Sequence, residues 1–209
     1  MFKNAVHLAA GLTLIIVTGV ANATPCTGIS LGTSSTSNVT LGGTASDQCV
    51  ISGVNPQQGP NGNTSGFDGT FGGGWSLLGK VTSNSGSNSL GGVNFTWTFA
   101  QTTGTTGTWS LTTDKNAMFD LVFAMHASNH SGAFLFDNEL TTAAVVDPGT
   151  WTIRWLNNGQ QVPDFSNLTL FARNVAVRAV PEPGSSALVL AALAAMTLAS
   201  RRKRWVKRQ

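Results

Sequence analysis

Hydrophobic positions in the middle of the chain recur with a period of two. Val93, Phe95, Trp97 and Phe99 alternate with Asn94, Thr96 and Thr98, the pattern of a strand with one face buried and one in solvent. Trp109 and Leu111 resume the pattern after a turn around Gly104–Gly107. Phe119, Leu121, Phe123 and Met125 form one face of a further strand. Asp120, Val122 and Ala124 form its other face, which is apolar enough to predict burial on most of both sides. Trp151, Ile153 and Trp155 alternate with Thr152 and Arg154 and are entered through Asp147-Pro148-Gly149, read as a turn. Leu168 to Val177 supplies the last strand, with a break expected near Asn174. Upstream, apolar islands at Val39–Leu41, Cys49–Val54 and Trp75–Val81 interrupt a stretch rich in Gly, Ser, Thr and Asn. No fixed-period repeat is present. The pattern predicts about seven to nine short strands in an all-β, antiparallel β-sandwich or jelly roll.

The two ends follow a different rule. Lys3 precedes an apolar run from Ala5 to Val20, and Ala21-Asn22-Ala23 supplies the small residues of a signal peptidase site. Residues 1–23 therefore read as a secretory signal peptide, an apolar helix that is removed to leave Thr24 at the mature N-terminus. The alternative is an uncleaved anchor. At the other end Val180-Pro181-Glu182-Pro183 precedes an apolar stretch, and Arg201, Arg202, Lys203, Arg204, Lys207 and Arg208 close the chain. Gly184 to Ser200 is 17 residues, roughly 25 Å of helix, short but sufficient for a single transmembrane helix. The basic tail, 201–209, is expected in the cytoplasm and the domain between, residues 24–178, outside it.

This C-terminal arrangement closely resembles the PEP-CTERM sorting signal of Gram-negative bacteria. The resemblance covers residues 179–209, with Trp205 and Val206 interrupting the basic run. It implies that an exosortase recognises and cuts the tail, in hosts that make extracellular polysaccharide. A plain tail anchor is the alternative. The segments Gly74-Trp75, Leu77–Lys80, Gly149–Ile153 and Asn167–Phe171 are also similar to parts of other PEP-CTERM proteins, and imply no catalytic residues.

Charge changes the picture in one respect. The whole chain carries a formal +3, but between Thr24 and Val180 five basic residues face eight acidic ones, a net charge of about −3. The basicity belongs to the tail, and nucleic acid is not an expected partner.

Candidate chemistry is sparse. Cys26 and Cys49 lie in the exported part, where an oxidising compartment favours a disulfide closing a loop of about 24 residues, with two free thiols as the alternative. His126 and His130 are four residues apart, but His126 is expected at a strand end and His130 in the turn Ser128–Gly132, so no metal pair is predicted. Asn61 to Gly66 starts like a calcium loop yet lacks leading carboxylates, and Gly72 stands where the bidentate Glu is needed. Asp68, or Asp137 with Glu139, would be the carboxylates for an ion elsewhere. No cofactor or metal is expected. Asn-x-Ser/Thr sequons at Asn38, Asn63, Asn94, Asn129 and Asn167 are about as frequent as chance gives. Phe67, Phe71 and Trp75, in a Gly-rich region, are the aromatics to consider for sugar stacking, with packing the stronger expectation. No nucleophile–base pair, phosphate loop or paired-carboxylate signature stands out.

The reading is thus an exported, non-enzymatic protein. It is processed by signal peptidase and an exosortase, held transiently at the inner membrane, and delivered to the cell surface or a polysaccharide matrix as a structural or adhesive component. A carbohydrate-binding module and a glycan-acting enzyme are the alternatives.

Overall fold

The computed structural model describes residues 23–29, 32–81 and 84–179. Ala21, the sorting motif Val180–Pro183, the apolar stretch after it and the basic tail lie outside the described residues, as does the N-terminal apolar run. Among the described residues no helix is long and apolar enough to cross a membrane.

Among the described residues twelve strands form two six-stranded sheets. They are β1 (Thr27–Gly28), β2 (Val39–Leu41), β3 (Thr44–Ala45), β4 (Gln48–Ser52), β5 (Ser76–Val81), β6 (Ser85–Leu90), β7 (Val93–Thr103), β8 (Thr106–Thr113), β9 (Ala117–Ala127), β10 (His130–Thr141), β11 (Val146–Thr152) and β12 (Asn167–Val177). One sheet runs β1-β4-β10-β9-β12-β5 and the other β3-β2-β11-β8-β7-β6. Neighbours are antiparallel except β1 on β4, which is parallel. Both sheets give their period-two apolar face to a shared core, where Phe95 meets Phe119 edge-on at 5.0 Å and Trp109 meets Phe123 at 4.6 Å. Each fully buried Phe of this layer contributes about 1.5–3 kcal/mol. Trp97 fits because Gly79 and Gly86 lie against its ring; a Cβ on either would sit 2.3 or 2.6 Å from it.

The first sheet is also covered on its outer face. Val122 and Ala124 of β9, Ala133 and Leu135 of β10 and Phe171 of β12 pack under Phe67 and Phe71, carried by the connection between β4 and β5 and its short helix α1 (Asp68–Phe71). This second cluster is why β9 is apolar on both faces, as its sequence predicts.

Three local expectations change. Asp147-Pro148-Gly149 lies inside β11, paired with β8, and is not a turn. The strand tolerates Pro148 because its missing N–H would point past the end of β2, on the side where its carbonyl accepts a hydrogen bond from the turn residue Gly42 at 2.8 Å. His130 is buried at the start of β10, because Ser128 takes a left-handed conformation (φ 58°) and the β9–β10 turn needs only two residues. The strand number exceeds the expected seven to nine. The Ser- and Gly-rich β6 and the two-residue β1 and β3 show no hydrophobic alternation to announce them.

Candidate functional site

Asp120 is the charged centre of the outer face of β9. Both flanking strands bulge beside it, β10 between Phe136 and Glu139 and β12 between Arg173 and Ala176. Each bulge contains an asparagine in the left-handed region, Asn138 (φ 56°) and Asn174 (φ 55°), a conformation Asn tolerates better than most residues. Asp120 takes a bond from both: the Asn138 backbone N–H donates to Oδ1 at 3.0 Å and the Asn174 amide to Oδ2 at 2.8 Å. Arg173 Nε donates to Oδ2 at 2.8 Å. Burial alone would raise the Asp120 pKa, but Arg173, Asn138 and Asn174 together hold it below the ordinary carboxylate value. The Arg173 guanidinium then lies 4.0 Å above the Trp75 ring and donates to the Gly73 carbonyl at 2.9 Å. The arrangement clamps two bulges and one loop together.

The other candidates are placed as follows. Cys26 and Cys49 are bonded and join the segment before β1 to β4. His126 Nδ1 is 2.7 Å from the buried Ser131 hydroxyl, and burial followed by the neighbouring His130 holds the imidazole below its usual pKa. Ser131 is 4% exposed, too enclosed for a nucleophile that must reach a polymer. Phe67 and Phe71 are buried, and the Trp75 indole N–H donates to the Gly72 carbonyl at 2.6 Å, so these aromatics pack rather than line an open sugar site. Asp68 accepts from the Thr64 hydroxyl at 2.6 Å. Burial first, then Asp47 and Asp147, raises the Glu139 pKa; burial and then Asp120 raise that of Asp137. Among the described residues no three His, Cys, Asp or Glu side chains converge as a metal ion would need. Asn38 is buried with its amide on the Thr152 carbonyl, while Asn94 bonds Asp114.

One feature escaped the sequence reading. Where β6 and β7 approach the first residues of β12, a cleft of about 410 Å³ is lined by Gln57, Asn84, Gln101 and Asn167 with Phe99 and Phe165. Its signal lay in β7, where the inward positions Val93, Phe95, Trp97 and Phe99 are followed at the same parity by the exposed Gln101. A polar residue continuing a core face marks the place where the sandwich opens.

The described domain ends at Ala179, where a different kind of signal begins. The family description that matches is the PEP-CTERM protein-sorting motif, over residues 179–204. The chain carries a PEP-CTERM sorting motif. That motif indicates an exported protein sorted by an exosortase, with a membrane-anchored precursor processed for the cell surface. No curated protein matches the chain. Among solved structures, the Salmonella enterica trimeric lipoprotein SadB is similar over 50% of this chain and 64% of its own length, at 8% identity and a TM-score of 0.31. The PEP-CTERM chain thus spans less than two thirds of that structure, and the likeness is too slight to inform either fold or activity.

Proposed function

We propose that this protein is a non-catalytic structural or adhesive component of the cell surface or of an extracellular polysaccharide matrix. Residues 1–23 direct export and are removed after Ala23. Residues 24–178 form one passenger, a jelly-roll-type sandwich. Residues 179–209 hold the precursor in the inner membrane through one helix until the exosortase cuts. The PEP-CTERM motif at 179–204 carries this reading. It is supported by the domain itself, in which the buried Asp120 carboxylate is taken up by structural bonds and a surface cleft holds carboxamides and aromatic rings.

The test is the intact mass and cellular fraction of the protein made in an exosortase-bearing host. The expected species is matrix-associated, starts at Thr24 and ends near Pro181–Pro183. A membrane-bound species that keeps Arg201–Gln209 would mean a permanent anchor, and the matrix role would be wrong.

A further inference from the structure

We propose that the cleft between the β6–β7 end and the start of β12 binds a segment of a neutral polysaccharide. This deepens the matrix reading above by giving the deposited protein a polymer to hold. Four carboxamides line the cleft, from Gln57, Asn84, Gln101 and Asn167. Each presents a donor and an acceptor in one plane, which matches the paired hydroxyls of a sugar ring. None of the four side chains has a hydrogen-bond partner among the described residues, and Asn167 Oδ1 is buried without one. Asn167 Oδ1 is closed off from solvent, so the amides open to a ligand are those of the exposed Asn84 and Gln101 and the half-buried Gln57.

Together with Val81, the Phe99 and Phe165 rings supply the apolar part of the wall. Their centroids are 4.8 Å apart, and both rest on Trp151, at 5.2 and 5.1 Å, so their positions are fixed by the core. Phe165 is also held from behind, its N–H donating to the Gly104 carbonyl at 2.7 Å. Rigid ring surface beside unpaired amides suits the C–H faces and hydroxyl edges of a sugar together. The lining residues carry no charge, which excludes an anionic polymer as the preferred ligand because nothing there would offset its desolvation. The volume, about 410 Å³, falls within the range of roughly 300–1,000 Å³ usual for small-ligand sites.

The experiment titrates the full chain, in a sugar-free detergent, with cellohexaose, maltohexaose, xylohexaose and mannohexaose, and with hexagalacturonate as the charged counterpart. Gln101→Ala and Asn84→Ala remove exposed side chains that hold nothing else, so both variants keep the wild-type melting temperature. Gln48→Ala, an exposed amide on β4, serves as control. At least one neutral hexasaccharide is expected to bind, roughly tenfold more weakly to each cleft variant and unchanged to the control, with no uptake of hexagalacturonate. The proposal is overturned if none of the four neutral sugars binds, if Q101A and N84A bind as the parent does, or if the acidic sugar binds equally well. Titration reads the folded domain and mass reads the processing, so failure of either leaves the other result standing.

Discussion

Replacing Asp120 with alanine should cost the domain about 3 kcal/mol. Breaking a buried charge pair by removing one partner typically costs about 3–5 kcal/mol. The lower end applies here, because the Arg173 side chain keeps 18% of its exposure and retains its contacts with Gly73 and Trp75. The loss is larger than that of an exposed ion pair because two further donors, the Asn138 N–H and the Asn174 amide, lose their acceptor at the same time. For a domain of this size the melting temperature should fall by about 6–12 °C. Urea unfolding followed by Trp fluorescence measures the difference directly, and Arg173→Ala with the double variant completes a cycle. The coupling between the two should exceed about 1 kcal/mol. The Asp120 pKa is depressed in the folded protein. Its contribution is therefore present above the unfolded value of about 3.9 and lost as pH falls through the folded value. The variant and the parent should converge in acid. A loss under about 1 kcal/mol at pH 7, or additive single variants, would show that the bulges hold their shape without Asp120.

Reducing the Cys26–Cys49 bond, or replacing both with serine, should remove about 3 kcal/mol, the chain-entropy value for a loop closed across 23 positions; thermal unfolding with and without reductant measures it. Gly107→Ala should destabilise by about 1–3 kcal/mol, since its Cβ would lie 2.1 Å from the Ala100 carbonyl, and circular dichroism melts read the change. The same substitution at Gly73, where the new Cβ meets nothing, should be tolerated. Glu139 has a raised pKa in the folded state, so its ionisation works against folding. Glu139→Gln should raise the melting temperature at pH 7, and the gain should vanish as pH falls below the ordinary carboxylate range.

Strands β7, β9 and β12 were legible because their apolar alternation is enforced by burial, whereas the 12-residue β10 went unread beyond the turn expected at its start. Val93 to Phe99 could face the core in only one register, and the apolar second face of β9 announced a cover that the connection with Phe67 and Phe71 supplies. The break expected near Asn174 is a bulge. What was not legible depends on partners distant in sequence. Pro148 reads as a turn residue until the end of β2 is known. Asp120 reads only as the polar member of the second face of β9 until two bulges bring Asn138 and Asn174 onto it. The cleft is assembled from Gln57, Asn84, Gln101 and Asn167, four unremarkable amides on four separate segments, and only Gln101 carried a trace of it in the pattern. The sorting motif was legible for the opposite reason: it is read as a linear string and needs no tertiary partner.

β12 starts at the cleft and ends beside the beginning of β9, where Val177 pairs with Ala117 and the Arg178 N–H donates to the Asn116 carbonyl at 2.8 Å. Its 11 residues measure about 35 Å at the usual rise per residue. The strand therefore gives the molecule a polarity. The cleft lies at one end of the strand and Ala179, where the sorting motif starts, follows the other. On the proposed mooring, the amide-lined end of β12 is the end of the described domain farther from Ala179, where the sorting motif begins.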